Sequence, residues 1–264
     1  MRSLEEVRFL LPEFEQHQHL NRSARNPSKI YKYHVSNLRE IEKALDSIGR
    51  FAKQEIAQND SHGALNSLVM LYTLMIGAWA ECRLKKLLHE QFGFSESERL
   101  QIEAKDSQHN QWIKAVETAF RKHYNLKRAR LDQKSLGVSK AAYYTALKDV
   151  LDDELKSIIE IRNKLAHGQW VYPLNNAGTR VEPEKYRLLK SENLLILQLK
   201  FSLVRKVADT IHDLIVSPPT FERDFDVHFK RLDQARIDIK RRKYSSFRDK
   251  LIQARLRDRR NRVI

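Results

Sequence analysis

Arg162 and His167 stand five residues apart, just past the middle of this 264-residue chain. The surrounding residues, 158–168, are largely apolar; Asn163 follows the arginine and Gly168 ends the segment, which is typical of the last turns of a buried helix. Five residues give about 500° of rotation and about 7.5 Å of rise, so we expect the two side chains on overlapping faces, addressing one small anionic group. A permanent cation beside a titratable imidazole is suited to phosphodiester cleavage.

The composition predicts an all-α protein with a polyanionic partner. Hydrophobic residues make up 41% of the chain, enough for a core, and only 7 Gly and 6 Pro interrupt it, which favours long helices. Lys and Arg number 49 against 34 Asp and Glu, giving a net charge of +15. Nucleic acid is the first candidate for a partner, and an anionic membrane surface is the second.

Cysteine usage and the N-terminal residues predict a cytoplasmic location. The single Cys82 cannot form an internal disulfide, which fits a reducing compartment. The first six residues include two glutamates and no apolar stretch, so they do not resemble a signal peptide. We also expect no membrane-spanning helix, because no apolar run looks long enough.

Hydrophobic periodicity predicts helices along nearly the whole chain. The first predicted helix is capped by Ser3 and Glu6 and broken at Pro12, and the second opens at 26–28 and carries the stripe Leu38, Ile41, Leu45, Ile48 and Ala52. A central apolar helix over 64–92 is ended by Gly93, and the next runs from the Ser95–Glu98 capping box through Phe120. A further helix is capped by Ser139 and continues or restarts through Leu165, and the last covers 191–216 and is ended by 217–219. Residues 58–63 are predicted as a loop, and residues 168–184 as a long loop with a small hairpin.

This pattern predicts three parts: N-terminal helices over 1–60 that pack on a central bundle over 61–216, and a basic helical extension over 217–264. The extension begins after a double proline and is rich in arginine and lysine. Arg223 and His228, just inside it, repeat the spacing of Arg162 and His167. Because dense mixed charge surrounds them, we interpret the second pair as part of a solvated face.

The segment around Arg162 and His167 resembles the signature of the HEPN superfamily, in which an arginine precedes a histidine by a few residues and a polar residue such as Asn163 follows the arginine. Residues 79–88 are similar to the long core helix of those proteins, which often carries an acidic residue, here Glu81, facing the site. The resemblance covers about residues 65–216. It implies a bundle of four or five helices that dimerises across the motif helices, and a metal-independent ribonuclease activity.

The chemistry of the residues supports that activity independently. His167 can act as base or acid, and Arg162 offers a planar fork of donors to phosphate oxygens. Asn163 can orient the phosphate or the histidine. One histidine cannot easily be both acid and base, which favours a homodimer with a shared cleft. Three structural alternatives stay open: His167 as a favourable residue at the end of a helix dipole, Arg162 as a partner of Glu81 or Glu160, and Glu81 as a surface residue.

Basic residues elsewhere are predicted to hold RNA through its phosphates. They are Lys164, Lys127, Arg128, Arg130, Arg241, Arg242 and Lys243. Tyr244 and Phe247 could stack on bases. The alternatives are a solvated helix that orders only with a partner, or an anionic membrane contact through a partial apolar face. No phosphate-binding glycine loop and no Cys/His metal spacing is present, and His17 and His19 lie too close along the chain to share a helical face, so we expect neither cofactor nor metal.

The sequence therefore predicts an all-α, HEPN-like, metal-independent endoribonuclease that leaves 2′,3′-cyclic phosphate and 5′-hydroxyl ends. Its RNA would be tRNA or mRNA, and the resemblance suggests a toxin or an antiviral defence effector, with an antitoxin or other regulatory partner. The alternative is a non-catalytic HEPN-like module that binds RNA or a protein.

Overall fold

The computed structural model of the protein describes residues 27–58 and 62–261, and within these residues the fold is all-α, as predicted. The helices are α1 (Lys29–Gln58), α2 (His62–Leu88), α3 (Glu96–Glu103), α4 (Gln108–His123), α5 (Gln133–Leu136), α6 (Val138–Val150), a π-helical segment (Leu151–Leu155), α7 (Lys156–Ala166), α8 (Pro183–Ser191), α9 (Leu194–Val216), α10 (Pro218–Arg241) and α11 (Tyr244–Asn261). The predicted helix at Ser3, with its break at Pro12, and the pair His17 and His19 lie outside the described residues.

Helix α1 begins where the Ser28 hydroxyl accepts a hydrogen bond from the Tyr31 backbone N–H at 3.1 Å. Its predicted stripe is confirmed: Leu38, Leu45 and Ala52 are buried, and the two isoleucines between them pack against the core. This face runs along α2, which begins at His62. Residues 59–61 of the loop predicted over 58–63 lie outside the described residues.

Helix α2 is the centre of the bundle and contacts α1, α7 and α9. By length and composition its residues Gly63–Leu88 could cross a membrane, contrary to our expectation that no apolar run is long enough. Its all-round apolar character also suits a core helix, and its neighbours cover it on several sides. The buried Trp79 indole, for example, donates to Glu42 of α1 at 3.1 Å and meets Phe201 of α9 edge to face.

The end of α2 differs from the prediction. The helix stops at Leu88, and the left-handed residue is Phe92, with φ 62°, rather than Gly93. A Cβ atom at Gly93 would lie 3.1 Å from the Glu90 carbonyl oxygen and 3.3 Å from Ile215 Cδ1. The glycine is therefore needed for close packing against α9 rather than for its backbone angle.

The segment from Ser95 to Phe120 forms two helices instead of one. The Ser95–Glu98 capping box is confirmed, with bonds of 2.7 and 3.2 Å, but α3 ends at Glu103. Ser107 then caps α4 by accepting from the Asn110 backbone N–H at 3.1 Å. A serine in extended conformation competes with helix continuation, and the break places Gln108 at the first position of α4.

Residues 138–166 form one continuous rod made of α6, the π segment and α7. The residue that caps α6 is Gly137, with φ 77°, and not Ser139, which lies inside the first turn. Leu151 and Leu155 at the two ends of the π segment are buried. The widened turn thus keeps both apolar residues in the core while exposing Asp152 and Asp153 between them.

The predicted hairpin after α7 is present in minimal form. Leu174 and Val181 make one antiparallel bridge, and Gly178, with φ 69°, lies in the turn between them. Helix α8, which the sequence reasoning did not predict, follows at once with Pro183 in its first turn.

The basic C-terminal residues are folded against the bundle. Helix α9 starts at Leu194, capped by Asn193, and ends at Val216 as predicted. The double proline both ends α9 and opens α10, because proline suits the first turn of a helix. Helix α10 packs along α9, and α11 packs on α1. The division of the chain at residues 60 and 216 stays a prediction.

Candidate active site

The end of α7 is sharply defined. The Gly168 N–H donates to the Leu165 carbonyl at 3.1 Å and the Gln169 N–H donates to the Lys164 carbonyl at 2.9 Å, with Gly168 left-handed at φ 76°. These are the two bonds of a Schellman ending, in which glycine is favoured after the last helical residues. His167 is the residue before that glycine and is exposed.

The Arg162 side chain is held between α2 and α4. Its Nη2 donates to the Gln108 Oε1 at 2.8 Å and to the Glu81 Oε2 at 3.0 Å. The Gln108 amide in turn donates to the Gly77 carbonyl at 3.3 Å. The Arg162 Nε is buried and has no hydrogen-bond partner among the described residues. The guanidinium is thus fixed in a cradle built by three helices.

Of the partners considered for Arg162, the structure selects Glu81, and Glu160 makes no ion pair with any described residue. The Glu81 side chain is 56% exposed and that of Arg162 is 22% exposed. An ion pair with one partner so exposed is worth at most about 1 kcal/mol. The position of the guanidinium therefore depends on Gln108 and Gly77 as well as on the carboxylate.

His167 and Asn163 are both exposed, and neither side chain forms a hydrogen bond with a described residue. No hydrogen bond joins the side chains of Arg162 and His167, and our expectation that they share a face stays a prediction. Arg162 is directed at α2 and α4, whereas His167 lies at the open end of α7. The structure brings Arg162, Glu81 and Gln108 together but leaves His167 and Asn163 outside that group.

Lys164, predicted to contact RNA, has a different environment. It donates to the Leu174 carbonyl and to the Glu182 carboxylate, the latter at 2.8 Å, and its side chain is only 12% exposed. Hydrogen bonds from Lys164 and Lys185 lower the pKa of Glu182. Lys164 therefore ties the hairpin to α7, and its amine is not free for a phosphate.

Two tyrosines that the sequence reasoning missed lie on the segments after His167. The rings of Tyr172 and Tyr186 are stacked, with centroids 5.9 Å apart and planes 8° apart, and Tyr172 is 58% exposed. The Lys190 amine lies over the Tyr186 ring at 5.7 Å. The available signal was one tyrosine inside the predicted loop over 168–184 and a second just after it, since aromatic rings with a polar group often lie at binding surfaces.

The other predicted RNA-binding residues form two separate exposed groups. Lys127, Arg128 and Arg130 lie in the loop after α4. Arg241, Arg242 and Lys243 lie at the junction of α10 and α11, where they line a cleft of about 460 Å³.

Tyr244 and Phe247, predicted to stack on bases, are partly buried. Both pack against the core and contact each other, with ring centroids 6.2 Å apart. Their rings are therefore largely occupied by the protein, because α11 folds onto the bundle.

The second Arg–His pair is only half solvated. Arg223 is exposed and pairs with Asp224, as expected of a surface residue. His228 is instead mostly buried, with its Nε2 3.2 Å from Asp213 of α9 and its ring stacked on Phe221. The dense charge of α10 concealed this inward-facing side.

Five clefts in the described part of the chain have linings that include neither Arg162 nor His167. Nor do the described residues contain a cluster of three or more His, Cys, Asp or Glu side chains suited to a metal ion. Comparisons with protein-family models, with curated proteins and with solved structures find no match to this chain.

Proposed function

We propose that this protein is a metal-independent endoribonuclease of the HEPN type. The observation that carries the proposal is the contrast between Arg162, whose guanidinium is fixed by Gln108 and Glu81, and His167, whose exposed imidazole ends the same helix. A preorganised cation and an accessible acid–base group are the two requirements of cleavage that uses the ribose 2′-hydroxyl.

In this reaction His167 removes the proton of the 2′-hydroxyl, and the 2′-oxygen attacks phosphorus. The bond between phosphorus and the 5′-oxygen then breaks, and the leaving oxygen receives a proton from an acid. Arg162 stabilises the negative charge of the pentacoordinate phosphorane, and its guanidinium stays charged throughout because it does not titrate. The products carry 2′,3′-cyclic phosphate and 5′-hydroxyl ends.

A homodimer forms part of the proposal. Within one chain Arg162 is hydrogen-bonded to α2 and α4, and His167 is exposed at the end of α7, so each chain supplies only one histidine beside its arginine. A two-fold axis beside the end of α7 would bring two of these pairs to one cleft, and would supply one histidine as base and the other as acid.

One observation favours a second candidate, a non-catalytic module that binds RNA or a protein. The Glu81 carboxylate neutralises Arg162 at 3.0 Å, which is what a purely structural arginine between helices requires. In that case RNA is retained by the basic surface and no product is formed.

The biological setting that the motif resemblance suggests is a cytoplasmic toxin or antiviral effector acting on tRNA or mRNA, restrained by a cognate antitoxin or another regulatory partner. Expression of the wild-type protein should then arrest growth, and expression of His167→Ala should not.

The test is incubation with total RNA and end-labelled tRNA in EDTA, comparing the wild type with His167→Ala and Arg162→Ala. Arg223→Ala is the matched control, since Arg223 has the same spacing to a histidine but lies on the solvent side of α10. We expect cleavage, with cyclic phosphate ends, by the wild type and the control alone. Full activity in either motif variant would contradict the proposal.

A further inference from the structure

Two clefts are each lined by a residue from the same turn of α9. The first, of about 620 Å³, lies between α1 and α9, and Gln198 of α9 lines it. The second is the cleft of about 460 Å³ at the junction of α10 and α11, and Leu195 of α9 lines it. Residues 195 and 198 are separated by about 4.5 Å of rise and about 60° around the helix. The two clefts share no lining residue, but both lie beside this one turn of α9, and together they are called the groove.

The α1 side of the groove carries Lys43, Arg50 and Lys53. Their spacings of seven and three residues keep them within an arc of about 80°, along about 15 Å of the helix. Asp46 is the acidic residue that lines this part of the groove.

The α10–α11 side carries Arg241, Arg242, Lys243 and Lys250, with no acidic side chain in its lining. Seven cations from three helices thus face one groove. None of these helices alone indicates the site; their packing creates it, since α11 lies on α1.

Few of these charges are neutralised within the described part of the chain. Lys43 pairs with Glu40 at 2.7 Å, but both side chains are more than two-thirds exposed, and Arg242 pairs with Asp238 at 2.9 Å. The other five cations form no ion pair with a described residue. A concave surface lined by one sign of charge concentrates its field and attracts an opposite charge.

The floor of the α1 side is apolar and closely packed. Gly49 is buried there, and a Cβ atom at this position would already touch the Tyr72 ring at 3.4 Å. Tyr72 is hydrogen-bonded to Gln198, and burial raises the pKa of its hydroxyl to about 12, so it carries no negative charge near neutral pH. The absence of a side chain at residue 49 leaves the groove open between the cations.

We propose that this groove binds the phosphodiester backbone of RNA independently of its base sequence. Tyr72 is buried in the core and Phe247 is partly buried against it, whereas seven cations line the groove, so we expect phosphates rather than bases to make most of the contacts. The groove gives α1 a role in RNA binding, and its use in positioning RNA for cleavage rests on the proposed function. A bilayer surface fits less well, because it cannot enter a concave groove.

The experiment measures affinity for a 20-nucleotide single-stranded RNA across salt concentrations, with His167→Ala as the parent so that the RNA stays intact. The test variant adds Lys43→Ala, Arg50→Ala and Lys53→Ala. The matched control adds Arg257→Ala, Arg259→Ala and Arg260→Ala, which remove the same charge from exposed positions near the end of α11. Circular dichroism verifies that both variants are folded.

For the test variant we expect the slope of log affinity against log salt to become less steep by about 2, from three lost contacts at about 0.7 each. The affinity should fall by about tenfold or more near 0.15 M salt, while the control changes far less. Equal losses of RNA affinity in the test and control variants would overturn the proposal, because the net positive charge of the protein would then explain the binding without the groove. Binding to anionic vesicles instead of RNA would also overturn it.

The experiments distinguish a failure of the groove proposal from a failure of the nuclease proposal. Groove-dependent RNA binding by a wild-type protein that cleaves nothing supports the groove and contradicts the nuclease. Cleavage by the wild type, with an affinity that does not respond to Lys43, Arg50 and Lys53, supports the nuclease and contradicts the groove.

Discussion

The aliphatic part of Arg162 packs directly on the backbone of Gly77. A Cβ atom at residue 77 would lie 2.7 Å from the Arg162 Cγ and 2.8 Å from its Cβ. Neither of those atoms is the flexible end of the side chain, so a larger residue cannot be accommodated by moving the guanidinium alone. Helices α2 and α7 approach each other closely here because residue 77 has no side chain.

Gly77→Ala should therefore separate α2 from α7 and displace Arg162 from Gln108 and Glu81. Overpacking of this kind costs about 1–3 kcal/mol, so we expect a lower free energy of unfolding in urea. Since the cradle positions the guanidinium, RNA cleavage should fall by about tenfold or more in protein that is still folded at 25 °C.

Gly63→Ala is the control for this substitution, since Gly63 lies on the same helix and a Cβ atom there would have no neighbour within 4 Å. It should raise stability by about 0.5–1 kcal/mol, the usual gain of alanine over glycine in a helix, and leave cleavage unchanged. A Gly77→Ala protein with wild-type stability and activity would show that the close approach is not required.

Glu81→Gln should strengthen RNA binding. The substitution keeps a hydrogen-bond acceptor beside Arg162 but removes the charge that neutralises it at 3.0 Å. Because this pair is largely exposed on the Glu81 side, the effect is limited to about 1 kcal/mol, and we expect the Kd for RNA to fall roughly two- to fivefold. The measurement is made with the His167→Ala protein and intact RNA.

Glu160→Gln provides the comparison, because it removes the same charge from α7 at a residue that does not pair with Arg162 in the structure. Its Kd should stay close to that of the parent. An identical gain in RNA affinity in both variants would mean that Glu81 acts only through the net charge of the protein and not through its pair with Arg162.

Tyr172→Ala should weaken RNA binding without unfolding the protein. Tyr172 stacks on Tyr186 and leaves its other face open, as in sites where a base stacks on an aromatic ring. Loss of one such contact costs about 1–3 kcal/mol, equivalent to a rise in Kd of about fivefold or more. Tyr33→Ala serves as the control, since Tyr33 is similarly exposed at 54% but lines neither cleft of the groove. A Kd that is unchanged in Tyr172→Ala would exclude the ring from RNA contact.

Glu90 should make stability depend on pH in the acid range. Burial would raise the pKa of this carboxyl, but His212 and Lys86 beside it outweigh that effect and hold the pKa at about 2, against the usual 4.5. Between pH 2 and pH 4.5, therefore, the Glu90 carboxyl is mostly protonated in the unfolded chain and mostly ionised in the folded protein. The resulting stability is complete above pH 4.5 and is lost as the pH falls towards 2.

Glu90→Gln should lower the free energy of unfolding at pH 7 by roughly 2 kcal/mol and make its decline below pH 5 shallower, because the substitution removes the carboxylate that titrates. Urea titrations at several pH values measure both effects. Glu96→Gln, at an exposed carboxylate whose pair with Arg99 is 3.9 Å long, should change neither. Parallel acid profiles for the wild type and Glu90→Gln would refute the assignment.

Sequence patterns predicted those helices and helix ends that depend on interactions between residues close together in the chain. The apolar stripe of α1, the Ser95–Glu98 capping box and the proline stop after Val216 all depend on residues close together in the chain, and the structure has them. The glycine ending of α7 was predictable for the same reason, because a left-handed residue after a helix favours glycine.

Features that depend on distant partners were not predictable. Gln108 meets Arg162 only because Ser107 interrupts a helix that the apolar periodicity continues across. Lys164 looked like a free cation, and its partner Glu182 lies beyond a loop whose path the sequence does not define. His228 faces inward because α10 packs along α9, a contact that no local pattern reveals.

The number of residues in the π segment Leu151–Leu155 sets the rotation of α7 about its axis, and therefore the direction in which Arg162 points. A π turn holds about one residue more than an α turn, and one residue corresponds to about 100° of rotation. A relative of this chain that lacked one residue between Leu151 and Leu155 could retain every residue of 158–168 and still direct its arginine away from α2. Among relatives, an intact motif with a one-residue gap just before it would therefore mark a different geometry, and the gap would be more informative than the motif.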